Sequence, residues 1–259
     1  MRLFDKAINF LIKAKLDPSS QRREELDREA AEEWAKPSGN QKSIICDNKH
    51  HAIEWDNVVT FKQPDGLVLP KKCYKKQKNS RTPNMLVAHW DVCLSSKSCF
   101  NILKKRKLSV HFLIDNDGTI FQLMDCNDIG YHAGNRAVNN NSIGVEISNA
   151  YYPKYQSVYK KRGFEPRPVW KDAKVHGKTL DPFLGFYPVQ EEAFIALSKA
   201  LNSIYGIPLQ TPQIDGVTST TVVPSVKRGV FKGIVNHFHI TNRKIDCAGF
   251  DIDKFLKNI

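Results

Sequence analysis

Short apolar blocks and stretches of helical spacing alternate through the second two-thirds of the chain. MLVAHW (85–90) is a compact apolar run of the kind that forms a buried strand. SCFNILKKRK after it predicts a helix with a basic outer face. LSVHFLID and GTIFQLM flank Asn116-Asp117-Gly118, a strong hairpin signal because both turn positions tolerate positive φ. SIGVEIS predicts another buried strand, and a polar, aromatic segment without clear period runs from Tyr151 to Gly185. In PVQEEAFIALSKALNSIYG, Ala193, Leu197, Ala200, Leu201 and Ile204 mark one helical face, with Gly206 as the stop. GIVNHFHI predicts the last strand and FDIDKFLKNI a closing helix. Strands alternating with helices predict an α/β domain on a mixed sheet.

The pattern before residue 80 differs, and the chain divides into an extension, residues 1–80, and a domain, residues 81–259. SSQRREELDREAAEEWAK alternates in charge sign, as a solvated helix does. Leu3, Ile8, Leu11 and Ile12 share a helical face, so the first residues predict an amphipathic helix docked on the domain. Asp5, Lys6 and Lys13 interrupt that stretch and no small-residue cleavage site follows. The expectation is a protein of the cytoplasm, or one that reaches the outside without a secretory leader. No apolar run approaches the ~20 residues of a membrane-spanning helix.

Composition narrows the partners. A net charge of +12 favours an acidic polymer, with basic clusters at Lys71, Lys72, Lys75, Lys76, Lys78 and at residues 104–107. No helix-turn-helix or aromatic-and-basic single-strand motif accompanies that charge, so a specific nucleic-acid partner is not expected. The six cysteines form neither a dense disulfide framework nor a CxxC pair.

Candidate chemistry gathers at strand ends. A catalytic zinc takes three protein ligands from His, Cys and carboxylate and keeps one position open. His89 closes the first predicted strand, His237 stands at the end of the last, and the loop after it offers Asp246 and Cys247. His239 competes with His237, because two residues on in a continuing strand it faces the same side.

Five blocks, LVAHW, SVHFLIDNDGTIFQ, YHAGN, NSIGVEIS and VNHFHITNRKIDCAGFD, occur in an order and spacing that resembles the zinc-dependent N-acetylmuramoyl-L-alanine amidases of type 2, a family related to the peptidoglycan recognition proteins. The resemblance covers about residues 84–259 and implies a central mixed β-sheet flanked by helices. It implies Zn2+ as cofactor, His89 and His237 as ligands, and hydrolysis of the bond between N-acetylmuramic acid and L-alanine in peptidoglycan or muropeptides. For the third ligand, CAGFDI matches a pattern that selects Cys247, the preferred reading, while KID matches one that selects Asp246. Glu146 falls where some members carry a catalytic glutamate, and Val110 stands where others carry a tyrosine. Lys244 matches a lysine that stabilises the oxyanion, with Arg243 as substitute. Tyr131, His132 and Asn135 match a block lining the substrate cleft, and His111 is expected to be structural. Cys93 and Cys99 echo a disulfide of the recognition proteins. That branch also supplies the alternative, a non-catalytic peptidoglycan-binding module on the same fold. A monomer is expected.

Overall fold

A computed structural model describes residues 20–32 and 42–257; the amphipathic helix expected over the first residues lies outside them. Six strands form the central sheet: β1 (Val58–Thr60), β2 (Met85–Trp90), β3 (Phe112–Ile114), β4 (Ile120–Gln122), β5 (Ser142–Ile147) and β6 (Gly233–Asn236). Their order is β6-β2-β5-β3-β4-β1. Every pairing is parallel except β3 with β4, the hairpin announced by Asn116-Asp117-Gly118. There the Gly118 amide donates to the Asp115 carbonyl at 3.0 Å, and Gly118 has φ 81°, where a side chain is strained.

The helices include α1 (Ser20–Glu29), α2 (Ser96–Arg106), α3 (Arg136–Asn141), α4 (Pro188–Tyr205) and α5 (Ile252–Leu256); Gln156–Lys161 and Pro224–Lys227 form further short helices. One sheet face is covered by α4, whose Ala193, Phe194, Leu197, Ala200 and Leu201 share a core with Leu86, Ala88, Trp90, Ile143, Val145 and Ile147. The other face packs under α2, where Cys99, Phe100 and Leu103 meet Val59, Leu113 and Phe121. Strand side chains alternate between faces. β2 and β5 therefore send their even and odd apolar residues, respectively, under α4, leaving His89 and Glu146 for the opposite face.

Three expectations change. β1 is an edge strand of the central sheet, and Ser43–Cys46 pairs with Lys49–Ala52 as a hairpin beside it, so residues 42–80 are built into the fold. α1 is docked: Leu26 is fully buried with Tyr155, Tyr159 and Tyr187, and Glu29 is buried as well. The last strand is shorter than GIVNHFHI, because residues 237–239 leave it in a 3-10 turn. Among the described residues no helix is long and apolar enough to cross a membrane.

Candidate metal centre and its cleft

His89 sits in β2 directly beside Glu146 in β5, its register partner. β6 runs parallel on the other side of β2 and delivers His237 at its end. The 3-10 turn that follows swings His239 out of line: its Nδ1 accepts from the Asn236 amide (3.1 Å) and its Nε2 donates to the Ser219 carbonyl (2.6 Å). With both nitrogens occupied, His239 is not a competing ligand. The loop then folds back, and the Phe238 amide donates to the Asp246 carbonyl at 3.0 Å. This returns the Asp246 carboxylate to the end of β6.

Three donor atoms converge. His89 Nδ1 lies 2.9 Å from His237 Nδ1 and 3.1 Å from Asp246 Oδ2, and His237 Nδ1 lies 2.9 Å from that same oxygen. All three residues are buried. Cys247, the preferred third ligand from the sequence, does not join them. Its thiol turns into the apolar core shared with Ile245, Ala248 and Phe250, and burial pushes its pKa well up, with the Asp246 carboxylate adding to the effect. The geometry places Asp246, the alternative, at the third position.

Hydrogen bonds behind His89 set its tautomer. Ser142 Oγ donates to the Val138 carbonyl (2.7 Å), so it accepts from His132 Nε2 (3.3 Å). His132 Nδ1 is then an acceptor, and His89 Nε2–H donates to it at 3.0 Å. His89 Nδ1 is left bare and aimed at His237 and Asp246. Burial, then the neighbouring His237, lowers the His89 pKa to about 4, which keeps that nitrogen's lone pair free. Burial alone would raise Asp246, but His237 and His89 hold its carboxyl well below the usual range. Two imidazole nitrogens, that of His89 carrying no proton, and one carboxylate oxygen crowd a single point. A cation at their meeting point resolves this, and two nitrogens plus an oxygen suit zinc.

Gly144 makes the relay possible. A Cβ built there would stand 2.8 Å from the His132 ring. Glycine inside a strand marks close approach of another group, and the glycine of NSIGVEIS carries that signal. His132 thus orients a candidate ligand from behind, and it also lines the cleft.

The three donors stand at one side of a cleft of ≈ 560 Å³ that also holds Tyr131, Glu146, Arg243 and Lys244. Glu146 is partly open to this cleft as a residue, while its Oε2 is sealed and has no hydrogen-bond partner. Burial raises its pKa well above the ordinary value, the Asp91 and Asp246 carboxylates add to the shift, and Lys244 opposes it. An unpartnered, proton-hungry carboxylate beside a candidate metal centre has the properties of a general base. Lys244 is exposed, two residues before Asp246.

The remaining site expectations divide. Asn135 is outside the cleft: its Oδ1 caps α3 by accepting from the Ala137 and Val138 amides (2.9 and 3.2 Å), and its Nδ2 donates to the Lys227 carbonyl. His111 is fully buried and bonded at both nitrogens, as expected. Cys93 and Cys99 are both free and make a second close group with Asp91. There the Asp91 carboxylate is already engaged by the Cys93 and Asn149 amides and the Ser148 hydroxyl.

A family model described as N-acetylmuramoyl-L-alanine amidase matches residues 79–248. No protein of curated function matches the chain. Among solved structures, it is similar to the N-acetylmuramyl-L-alanine amidase AmiD from E. coli, solved with the substrate anhydro-N-acetylmuramic acid-L-Ala-D-γ-Glu-L-Lys, at 23% identity and TM-score 0.36. That match covers 52% of this chain and 48% of AmiD, so the chain matches about half of AmiD's length. It is similar to the amidase LysC from Clostridium intestinale at 16% identity, covering 79% of this chain and 97% of that one, TM-score 0.43. For a mutant endolysin from Bacillus subtilis the identity is 15%, the coverage 78% and 98%, and the TM-score 0.45.

Proposed function

This chain belongs to the N-acetylmuramoyl-L-alanine amidase family, and from that premise we propose that it hydrolyses the amide joining N-acetylmuramic acid to L-alanine in peptidoglycan or its fragments, with zinc held by His89, His237 and Asp246. The observation that carries the reading is the meeting of three buried donor atoms within 3.1 Å of one another, in the cleft that holds the unpartnered Glu146. Zinc bound there supplies Lewis acidity toward the scissile carbonyl and the attacking water.

The chain's own residues do the rest. Glu146 takes the proton of the attacking water on its carboxylate and returns it to the leaving amine of L-alanine. Its raised pKa suits this double duty, since a very weak base would not accept the proton and a strong one would not release it. Lys244 brings positive charge to the carbonyl oxygen as negative charge develops there. His132, seated on Gly144 and tied to Ser142, holds the His89 ring so that Nδ1 stays unprotonated. Tyr131 lines the cleft at the substrate side.

Mass analysis of digested peptidoglycan tests the reading. Free stem peptides beginning with L-alanine are the expected product, from protein whose metal content is about one zinc per chain. Stems that remain attached to muramic acid overturn it.

A further inference from the structure

α1 lies outside the residues that match the family, yet its Arg22 and Glu25 line the same cleft as His89, His237 and Asp246. Arg22 Nε and Nη2 both donate to the Val92 carbonyl, at 2.8 and 2.6 Å, just past the strand that carries His89. Arg22 Nη1 pairs with Glu29 at 2.9 Å, and Glu29 Oε2 accepts from the Leu94 amide at 3.1 Å. With Leu26 buried behind it, the helix grips the loop leaving β2. It is a fixed part of the cleft.

Glu25 has a different place. Its carboxylate is held by Arg22 (3.2 Å) within α1 and by Lys105 of α2 (3.2 Å), so it joins the two helices. The Lys105 side chain is 73% exposed. Exposed pairs of this kind are weak and exchange readily with another anion. Arg106 lines the cleft next to it; Arg22 is engaged by Glu29 and lies near the cleft-lining Asp91, so Lys105 and Arg106 are the cations at this end, with Glu25 the carboxylate that holds Lys105. The chemistry of a muramoyl peptide matches one side only. Amide formation leaves the muramoyl part uncharged, whereas the peptide stem keeps free carboxylates.

We propose that α1 is the far wall of a stem-peptide subsite, and that Glu25, by holding Lys105, sets how strongly longer and more anionic stems are bound. The inference rests on the amidase reading above. A stem carboxylate reaching Lys105 competes with Glu25 for it, so Glu25 lowers the affinity for such stems and Lys105 raises it.

The test compares the full chain with its Glu25→Gln and Lys105→Met variants on two soluble substrates, an N-acetylmuramoyl dipeptide and an N-acetylmuramoyl pentapeptide. The readout is the ratio of kcat/KM, pentapeptide over dipeptide, for release of the stem. Glu25→Gln is expected to raise this ratio about three- to tenfold and Lys105→Met to lower it by a similar factor. Opposite signs are a signature that loss of packing does not produce. An unchanged ratio in both variants, or a fall in both, overturns the proposal while leaving the amidase reading intact. Failure of the unaltered chain to release stems from either substrate overturns the two together.

Discussion

Two pairs of buried histidines in this fold have opposite fates. His111 and His239 each spend both ring nitrogens on permanent backbone partners: Gly144 and Asp128 for the first, Asn236 and Ser219 for the second. His89 and His237 instead turn a nitrogen toward each other and toward one carboxylate oxygen, a meeting of side chains to which the backbone supplies no partner among the described residues. Burial is common to both pairs and decides nothing. What separates structural from metal-ready imidazole is whether the fold has already supplied a donor or acceptor for every lone pair. Strand register does the sorting. His89 stays in its strand and faces the cleft, and His237 opens the 3-10 turn that carries His239 away.

The largest effect is expected where that deficit is removed. Asp246→Ala should abolish zinc binding and bring turnover to background, whereas Cys247→Ser should keep its metal and lose stability through a polar atom placed in the core. Elemental analysis of the two purified variants reads the difference, and a metal-free Cys247→Ser protein beside a metal-loaded Asp246→Ala would reverse the assignment. Next comes Glu146→Gln, which keeps the shape and removes the base. Turnover should fall about 10²- to 10⁴-fold with zinc content unchanged; near-normal turnover moves the base elsewhere.

The relay behind His89 is the third point at which the two histidine classes can be pushed together. His132→Ala removes the acceptor for His89 Nε2, and Gly144→Ala displaces the same ring from the other side. Both should weaken zinc about 10- to 100-fold, the usual cost of losing a ligand's outer partner. Competition with a chromogenic chelator measures this without reference to activity. Equal affinity in all three proteins would show that His89 keeps its tautomer unaided.

Much of this was legible in the sequence, because period and turn chemistry are local. MLVAHW, the Asn116-Asp117-Gly118 hairpin and the helix ending at Gly206 form where their patterns place them. His89 and His237 could be named because they stand at the ends of predicted strands, whereas Glu146 was named through the family resemblance alone. The third ligand could not, since Asp246 and Cys247 are neighbours and only the fold of the returning loop decides which one faces inward. His239 stayed in competition for a related reason: a strand that stops at Asn236, four residues short of its predicted end, changes every direction after it. Asn135 in YHAGN matches a cleft block by sequence, yet an Asn before a short helix has an equally strong use as its cap. Arg22 and Glu25 gave no signal, because a charged helix shows its docking partner only when Leu26 is seen buried.

His111 carries the contrast into pH dependence. Burial, followed by the cationic Arg81 beside it, lowers its pKa to about 3. In the unfolded chain the imidazole titrates near 6.5, so as pH falls the unfolded state takes up a proton that the folded state refuses. Stability contributed by this residue is complete above 6.5 and is lost progressively down to about 3. Replacing His111 by Gln should lower stability at neutral pH and flatten this part of the acid slope. Urea unfolding across that range reads both effects, and an unaltered slope would assign the acid sensitivity to other groups.

The smallest effect concerns Asn135, where a side chain expected at the substrate is found holding a helix. Its Oδ1 accepts from two first-turn amides of α3, donors that no helical carbonyl can reach, and its Nδ2 ties α3 to the Lys227 carbonyl. Asn135→Ala should therefore cost about 1 kcal/mol of stability, the usual worth of such a cap. Because α3 leads directly into β5, some loosening at Ser142 is expected, yet Tyr131 and Glu146 keep their own anchors in the sheet region. KM for a muramoyl peptide should stay close to that of the unaltered chain while the denaturation midpoint drops. A raised KM with an unchanged midpoint would return Asn135 to the substrate, and would mean that the cleft reaches beyond the residues now seen to line it.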